Sequence, residues 1–371
     1  MKSRARRSTE QRPQVQHAPS ARGFRMPAEW EPHAATWLAW PHEPKDWPGK
    51  FAAIPWVFAE IARQLQEHER VRLIVSNAGG EKLAKQAFSK AGVDSSRVDF
   101  FRCPTDRSWT RDFLPLFVTR GRGKRRERAL VKWRFNGWGR YPNHRRDEQA
   151  GLAVALAQDL PIALPETAVG GRARRFVLEG GAIDVDGEGT LLATEECLLD
   201  GRQARNREVG KAGSELVLRE YLGAEKVLWL ERGIAGDDTA GHIDDFCRFV
   251  APGKIVLARE DNRRDPNHRV LAAAAERLRG ARDAHGRKLE VISLPMPSPV
   301  AFAKQRLPAS YANFYIGNGV VLVPTFNDAQ DRRALGILSE LFPGRRVVGI
   351  HSTDFVLGLG TIHCSTQQEP A

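Results

Sequence analysis

The side chain of this sequence best placed to act as a nucleophile is the thiol of Cys364, near the C-terminal end of the chain. It follows Gly358 and Gly360, two glycines that allow a tight backbone. The Ser, Thr and Gln residues that come after it are not typical of a strand buried on both faces. A thiol in this setting is a candidate nucleophile if the fold supplies a base and charges that favour the thiolate.

A histidine and a carboxylate that could serve this thiol occur together in residues 236–246. His242 and Asp244 are two positions apart, and on a strand such side chains point to the same face. An imidazole and a carboxylate on one face can act as an acid–base catalyst and as a clamp for positive charge. The alternatives are an Asp-rich surface loop and a metal site, although one His among several Asp residues lacks the spacing of a tetrahedral site.

Two further carboxylates lie where polar turns meet apolar strands. Asp112 comes directly before the apolar residues 113–118, and Glu179 follows the apolar residues 176–178 and precedes two glycines. Asp112 could pair with Arg111 or cap a turn, and Glu179 could be solvated at a bulge. A carboxylate that is half buried at such a place needs a partner, so both are also candidates for the site around the thiol.

Short apolar segments and amphipathic segments alternate along the chain, which predicts an α/β fold. The predicted strands are 34–41, 71–76, 98–102, 113–118, 176–185, 190–194, 226–229, 246–250, 255–258, 289–293, 314–316, 320–324 and 347–350, and the predicted helices are 51–69, 81–92, 148–158, 203–222, 266–281 and 330–341. Glycine-containing turns at 186–189 and 317–319 predict hairpins. A hairpin, a helix and a strand recur about five times, which favours a radial, quasi-symmetric arrangement in one domain over residues 25–371.

The net charge of +12 on 371 residues is concentrated in two segments. Residues 1–24 are polar, basic and without periodicity, so we expect a disordered tail, and we expect residues 120–128 to form a solvated basic loop. A protein that binds nucleic acid or an acidic partner through these segments is the non-enzyme alternative. We do not expect nucleic-acid binding, because the charge is not spread over a folded face.

Cysteine usage and hydropathy indicate the compartment. Four cysteines without a Cys-x-x-Cys pair argue against a disulfide scaffold and a zinc ribbon and predict a reduced environment. Cys103, Cys197 and Cys247 are interpreted as small buried hydrophobic residues. No apolar run approaches the roughly 20 residues of a membrane span, and the N-terminus lacks the apolar core of a secretory signal. We therefore expect a cytoplasmic protein that makes no membrane contact.

The candidate residues lie within motifs that resemble those of the agmatine deiminase and bacterial peptidylarginine deiminase family, which belongs to the guanidine-modifying pentein superfamily. In chain order, these motifs are 26–33 with 37–41, 109–112, 135–139, 178–181, 194–199, 236–244, 311–315, 323–328 and 362–368. Together they cover residues 25–370, and so many motifs in register argue against chance similarity.

The resemblance implies a five-bladed α/β propeller of ββαβ-type units. It also implies a hydrolase that converts a guanidinium to a ureido group and ammonia without a metal or an organic cofactor. Cys364 would attack the guanidinium carbon and form a covalent intermediate, while His242 would protonate the departing ammonia and then activate water. Asp112 and Asp244 would clamp the guanidinium nitrogens, and Glu179 would hydrogen-bond the imidazole.

Agmatine is the substrate that the resemblance favours, with N-carbamoylputrescine and ammonia as products. Peptidyl-arginine or another small guanidine is the alternative substrate, and the complete catalytic set disfavours an inactive scaffold. Trp109, Trp138 and Asn313 are expected to bind substrate. The two tryptophans could pack on the methylene chain or the cationic amine of the substrate. Alternatively, they could belong to the apolar core or to the rim of the pocket. The sequence leaves homo-oligomer formation open.

Two departures from the family pattern border the expected site. Phe113 and Leu114 follow the first clamp carboxylate where agmatine deiminases commonly have Thr and Gly, and Leu359 stands in place of the middle of three glycines. Both departures leave the catalytic groups in place and affect the pocket for the tail of the substrate. The receptor for the amine of agmatine is not identifiable from the sequence.

Overall fold

The predicted alternation of strands and helices is present in the structure, a computed structural model that describes residues 18–199 and 202–371. The strands are β1 (His33–Ala39), β2 (Arg70–Val75), β3 (Val98–Arg102), β4 (Leu116–Arg120), β5 (Glu127–Val131), β6 (Ile162–Ala163), β7 (Glu166–Val169), β8 (Arg172–Arg175), β9 (Ile183–Val185), β10 (Thr190–Thr194), β11 (Lys226–Leu230), β12 (Cys247–Ala251), β13 (Lys254–Arg259), β14 (Glu290–Pro295), β15 (Ala301–Phe302), β16 (Gln305–Arg306), β17 (Tyr315–Ile316), β18 (Val320–Thr325), β19 (Arg346–His351) and β20 (Gln367–Pro370). The helices are α1 (Ile54–Leu65), α2 (Ala78–Ala91), α3 (Thr110–Phe113), α4 (Arg145–Ala157), α5 (Glu195–Leu198), α6 (Gly210–Leu222), α7 (Pro266–Leu278) and α8 (Asp331–Leu341).

One supersecondary unit recurs through the described part of the chain. In it, two strands pair antiparallel, a helix follows, and the next strand pairs parallel with the second strand. The units are β4–β5–α4–β6, β9–β10–α6–β11, β12–β13–α7–β14 and β17–β18–α8–β19. The helix is needed because a parallel connection has to cross over the sheet. The turns at 186–189 and 317–319 join antiparallel pairs, as predicted.

A further unit is assembled from the two ends of the described chain. Strand β20 pairs antiparallel with β1, and β1 pairs parallel with β2 across α1. Helix α2 then leads to β3, which extends the sheet to the order β20-β1-β2-β3. The protein is therefore a mixed α/β fold in which the C-terminal strand completes the N-terminal sheet.

Strand β20 corrects the expectation that the polar residues after Cys364 do not form a strand buried on both faces. Its four residues are all buried. Glu369 accepts hydrogen bonds from the indole of Trp37 at 3.0 Å and from Arg128 at 2.9 Å, and it pairs with Arg72 at 2.8 Å. Polar side chains are tolerated here because their partners are supplied by the sheet that the strand joins.

Two predicted strands are shorter than expected. Of residues 113–118 only the part from Leu116 is strand, because Thr110–Phe113 forms one helical turn. Of residues 176–185 only Ile183–Val185 is strand, because Gly180–Ala182 forms a 3-10 turn. In both cases the backbone turns just beside a predicted site carboxylate. Strands β5 to β8 and the hairpin β15–β16 were not predicted. Charged residues interrupt the apolar pattern of β5, β7 and β8, and β6, β15 and β16 are only two residues long.

The basic segments are more ordered than predicted where the structure describes them. Pro19–Arg22 forms a 3-10 turn and Phe24 is buried beside the guanidinium of Arg120, so the prediction of disorder is wrong for residues 18–24. Residues 1–17 of that prediction lie outside the described residues. In the predicted loop at 120–128, Arg126 pairs with Glu31 at 2.8 Å, and strand β5 already begins at Glu127.

The helices cover the sheets with their apolar faces. Helix α1 buries Ile54, Phe58, Ile61 and Leu65, which recur at the spacing of one helix face. These side chains belong to the same apolar cluster as residues of β1 and β2. Among the described residues, no helix has the length and apolar character required to cross a bilayer.

Candidate active site

One cavity of about 570 Å³ collects five of the residues that the sequence singled out. Trp109, Asp112, Trp138, His242 and Cys364 line it. The remaining predicted residues, Glu179, Asp244 and Asn313, are not part of the cavity wall but contact residues that are. The structure thus brings the whole predicted set together, from positions spread over most of the chain.

The candidate residues occupy equivalent places in successive units. Asp112 comes shortly before β4, Glu179 before β9, His242 and Asp244 before β12, Asn313 before β17, and Cys364 before β20. Each therefore lies in the segment that leads into the first strand of a unit. At Asp112, Glu179 and Asp244 this segment forms or adjoins a helical or 3-10 turn, and at Asn313 and Cys364 it is a turn without regular structure.

The thiol of Cys364 is held by polar groups and is almost fully buried. Its Sγ lies 3.1 Å from Nδ2 of Asn313 and 3.6 Å from Oδ2 of Asp244. A side chain at Gly360 would place its Cβ 3.2 Å from this Sγ, so the close approach of the backbone favours glycine there. Leu359, the departure from the family pattern, lines the cavity with φ of 66°, in the left-handed region that glycine adopts more easily.

Burial raises the pKa of the Cys364 thiol well above its ordinary value, and the carboxylates of Asp244, Asp245 and Asp112 raise it further. The protein's own groups around Cys364 therefore favour the thiol over the thiolate. A cation bound among these carboxylates would reverse the effect, because it would stabilise the thiolate.

The imidazole of His242 has carboxylates on both edges. Its Nδ1 lies 4.0 Å from Asp112 and 3.9 Å from Asp244, and its Nε2 lies 3.8 Å from Glu179. The prediction that His242 and Asp244 share a strand face is wrong, because Ile243–Asp245 forms a 3-10 turn. Burial lowers the pKa of His242, but Asp112, Cys197 and Glu179 outweigh it and hold this pKa well above its ordinary value.

Asp112 is oriented by two donors on different units. The indole Nε1 of Trp138 donates to its Oδ2 at 2.9 Å, and the backbone N–H of Gly181 donates to its Oδ1 at 3.1 Å. Burial raises the pKa of Asp112 to about 6, an effect opposed by His242. The carboxyl group therefore titrates close to the pH range in which an enzyme works.

Glu179 is bound by an arginine that the sequence analysis missed. Arg205 Nε donates to the two carboxylate oxygens at 2.8 and 3.0 Å, and its Nη2 donates to the carbonyl of Thr239 at 2.6 Å. Burial would raise the pKa of Glu179, but Arg205 and His242 outweigh it and lower this pKa. No local pattern marks Arg205, because its partner is 26 residues away in the chain.

Asp244 and Asn313 are anchored from the side of the C-terminal segment. The Oδ2 of Asp244 is 2.6 Å from Nδ1 of His363, whereas its Oδ1 has no hydrogen-bond partner although it is buried. Burial raises the pKa of Asp244, but His363 outweighs it and lowers this pKa. Asn313, predicted to bind substrate, instead donates to Asp245 at 3.1 Å and accepts from Thr361 at 2.7 Å.

The two predicted tryptophans combine packing with a place at the cavity wall. Trp109 packs against Trp47 and Phe355, with ring centroids 5.6 and 6.0 Å apart. Trp138 packs edge-on against Phe135 at 5.0 Å while its N–H is used by Asp112. Each ring is therefore fixed by the core and presents an apolar surface to the cavity.

Two groups of potential metal ligands occur among the described residues, and both fall within this site. The first consists of Glu179, Cys197 and His242, and the second of Asp244, Asp245 and Cys364. In the first group the carboxylate is already paired with Arg205, whose charge would repel a metal ion. The second group surrounds the nucleophile and is equally suited to an organic cation.

A nearly buried thiol, an imidazole and several carboxylates at one cavity define a cysteine-centred site with affinity for cations, built on a mixed α/β fold. The chain belongs to the Porphyromonas-type peptidyl-arginine deiminase family, whose model matches residues 25–370. The resemblance inferred from the motifs is thereby confirmed.

Individual relatives match almost the whole chain. An agmatine deiminase of Ectopseudomonas mendocina (strain ymp) is 38% identical, covering 95% of this chain and 97% of the relative. An agmatine deiminase of Pseudomonas aeruginosa (strain LESB58) is also 38% identical over the same shares. The solved structure of the agmatine deiminase of Enterococcus faecalis catalysing its reaction is similar with a TM-score of 0.85 at 32% identity, covering 96% of this chain and 98% of that one.

Proposed function

We propose that this protein hydrolyses the guanidinium group of agmatine to N-carbamoylputrescine and ammonia. The observation that carries the proposal is that Asp244 lies within 4 Å of both the Cys364 thiol and the His242 imidazole at one cavity. The relatives at 38% identity are agmatine deiminases, which supports the same substrate.

Binding of the guanidinium is proposed to fall to Asp112 and Asp244. A guanidinium keeps its positive charge at any working pH and donates from several N–H groups in one plane, so it fits between two carboxylates. The buried, unpartnered Oδ1 of Asp244 is a suitable acceptor for one of these donors. The bound cation would then lower the pKa of the nearby Cys364 thiol, which loses its proton to the solvent and becomes the nucleophile.

The chemical steps then require one nucleophile and one acid–base group. The Cys364 thiolate attacks the guanidinium carbon, and His242, protonated because of the carboxylates around it, gives its proton to the nitrogen that leaves as ammonia. The remaining amidino-thioether is attacked by water, whose proton His242 takes. Cleavage of the C–S bond, with loss of the hydroxyl proton to the released ammonia, gives the ureido product and restores the thiolate. Glu179 is proposed to support the positive charge of the imidazole throughout.

The amine of agmatine, at the other end of the substrate from the guanidinium, is proposed to bind acidic groups in the same cavity. Asp46 and Asp238 both line it, and burial raises the pKa of Asp46 to about 6. Asp238 accepts a hydrogen bond from the hydroxyl of Tyr141. Carboxylates at this place suit the amine of agmatine better than the α-carboxylate of free arginine.

A peptidyl-arginine substrate is the second candidate, and Arg107 is the observation in its favour. This arginine lines the cavity and could receive a carboxylate. However, it already pairs with Asp46 at 2.5 Å and packs over the ring of Tyr141 at 4.5 Å. Assays of ureido product with agmatine, free arginine and an arginyl peptide separate the candidates. Turnover of the peptide but not of agmatine would rule out the favoured substrate.

The nucleophile is tested by paired cysteine variants. Cys364→Ala is expected to abolish turnover, because no other group in the proposed mechanism can form the covalent intermediate. Cys103→Ala is the matched control, since that thiol is half-buried, does not line the cavity and has its hydrogen-bond contact with a backbone carbonyl at 3.9 Å. Full activity of the Cys364→Ala variant would refute the mechanism.

For the architecture we propose the five-bladed propeller implied by the resemblance. Its support is the recurrence of the same strand–strand–helix–strand unit five times within residues 18–199 and 202–371, with the candidate residues in the equivalent leading segment of each unit. A cytoplasmic location stays a prediction, and homo-oligomer formation stays open. The non-enzyme alternative is binding of nucleic acid or an acidic partner by residues 1–24 and 120–128. This alternative predicts salt-dependent binding that is lost when residues 1–24 are removed.

A further inference from the structure

His363, the residue before the nucleophile, is enclosed between two carboxylates. Its Nδ1 is 2.6 Å from Oδ2 of Asp244 and its Nε2 is 2.7 Å from Oε2 of Glu29. The side chain is almost fully buried, at 2% exposure, and does not line the cavity. It therefore acts on the site through Asp244 and not through contact with a substrate.

The geometry determines the protonation of this ring. A neutral imidazole has one N–H and one lone pair, so one of its nitrogens would face a carboxylate oxygen at under 3 Å without a proton between them. An imidazolium donates from both nitrogens and satisfies both carboxylates. Because the pKa values of Glu29 and Asp244 are both lowered, both carboxyl groups are ionised, and the two short contacts on opposite edges of His363 favour the charged form.

We propose that His363 is a positioning residue, an imidazolium that bridges Glu29 and Asp244 and keeps the Asp244 carboxylate ionised and turned towards the guanidinium. The proposal rests on the deiminase function proposed above. It adds to that function a buried carboxylate–imidazolium–carboxylate chain. Of the predicted site residues, Asp244 alone belongs to this chain.

Glu29 provides a rigid end for this chain. Its Oε1 accepts hydrogen bonds from Arg248 at 3.0 Å and from the backbone N–H of Ile316 at 2.8 Å, and its Oε2 is 3.2 Å from Arg111. Burial raises the pKa of Glu29, but Arg248 and His363 outweigh it and hold this pKa well below its ordinary value. The carboxylate that anchors the ring is therefore both fixed in place and charged.

The other end of the chain is the clamp. With His363 on its Oδ2, the Asp244 carboxylate keeps its Oδ1 unpartnered and 3.9 Å from the imidazole of His242. The positive groups that face Asp244 are His363, His242 and Arg248. The negative or ionisable groups that face it are Asp112, Asp245 and Cys364. Without the imidazolium, burial and these acidic neighbours would favour protonation of the clamp.

Two isosteric variants separate the bond to Asp244 from the bond to Glu29. In His363→Asn the amide nitrogen lies near the position of Nδ1 and can still donate to Asp244, whereas in His363→Gln it lies near Nε2 and reaches only Glu29. We expect His363→Gln to raise the KM for agmatine by roughly 10- to 100-fold, the equivalent of one charge-assisted hydrogen bond. The increase in His363→Asn should be at least about threefold smaller, because the donor to the clamp is retained.

The pH profile gives a readout that a merely structural role would not change. The clamp must be ionised to bind a cation, and loss of the imidazolium raises the pKa of Asp244. The acid limb of kcat/KM should therefore move to higher pH in both variants, and further in His363→Gln. His268→Gln, which removes a half-buried ring bonded to the carbonyl of Glu260 at 2.7 Å, is the control and should leave the KM and the profile unchanged.

The outcomes distinguish this inference from the proposed function. If the wild-type protein turns over agmatine but both His363 variants keep its KM and its acid limb, or lose only kcat, the positioning role is refuted. If the wild-type protein turns over no guanidine, the proposed function fails instead. The charge of His363 is then tested by NMR of protein labelled with 15N-histidine. Both ring nitrogens should show imidazolium shifts at the pH of the assays, and a neutral tautomer there would overturn the inference.

Discussion

Gly181 offers the sharpest test of how closely the catalytic groups are packed. A Cβ at this position would lie 2.6 Å from Nδ1 of His242, 2.9 Å from Oδ1 of Asp112 and 3.1 Å from Oδ2 of Asp244. The backbone of Gly181 is not in the left-handed region, so alanine can adopt its conformation. Gly181→Ala therefore adds one methyl group between the imidazole and the clamp, and changes little else.

The size of the effect follows from the distances. Ordinary contacts of a Cβ begin at 3.4 Å, so His242 has to move by about 0.8 Å to accommodate the methyl group. A displacement of about 1 Å at a reacting centre costs on the order of 100-fold in rate. The expected loss in kcat/KM for agmatine is therefore roughly 100-fold. Overpacking costs about 1–3 kcal/mol of stability, partly offset by about 0.4–1 kcal/mol from the lower entropy of the unfolded chain.

The assay combines steady-state kinetics with urea unfolding of the same preparation. Gly344→Ala is the matched control, since a Cβ there meets no atom within 4 Å and its backbone is also outside the left-handed region. It should keep wild-type activity and gain about 0.4–1 kcal/mol of stability from the lower entropy of the unfolded chain. The reasoning would be refuted if Gly181→Ala kept kcat/KM within about threefold of wild type, because the three groups would then not be held at the distances on which the mechanism depends.

Three further predictions concern the groups that hold the site and the sheet. Trp138→Phe removes a donor to Asp112, whose pKa is about 6, so the acid limb of kcat/KM should rise by about one pH unit; an unchanged limb would contradict this. Arg205→Gln leaves the buried Glu179 carboxylate without its partner and should lower the free energy of unfolding by about 3–5 kcal/mol. In the wild type the lowered pKa of Glu179 contributes stability above the unfolded pKa. In the variant the unpaired carboxyl takes up a proton in the folded state, so the deficit should shrink as the pH falls, and a deficit independent of pH would refute the argument. Glu369→Gln weakens two arginine contacts to the C-terminal strand and should cost about 2–3 kcal/mol in urea unfolding, whereas a loss below about 0.5 kcal/mol would show that they contribute little.

Elements with a strong local signal were predictable. Helix α7 was predicted to start at Pro266 and does so, because Asp265 caps the first turn and proline suits the first helical position. Strand β3 and strand β10 also have the predicted bounds. Strand β20 was not predictable, since its polar residues become a buried strand only when β1, more than 300 residues away in sequence, supplies their partners.

The site divides in the same way. The residue types and motifs by themselves identified Cys364, His242, Asp112, Asp244 and Glu179 as candidates, because a reactive side chain beside glycines and turns is visible in the sequence. The partners that control them were not visible. Arg205 contacts Glu179, 26 residues away in the chain, and His363 contacts Asp244, 119 residues away. No local sequence pattern indicates such pairs.

The charge state of each group was decided only by the tertiary structure. The sequence marked Cys364 and His242 as reactive groups without fixing their charge, whereas the folded site raises the pKa of both. The physical reason is that electrostatic interactions depend on distance and on exclusion of water, and both are set by the packing of distant segments around the cavity. Residue identity determined which chemistry is available to this protein, and packing determined the protonation state of each group before a substrate binds.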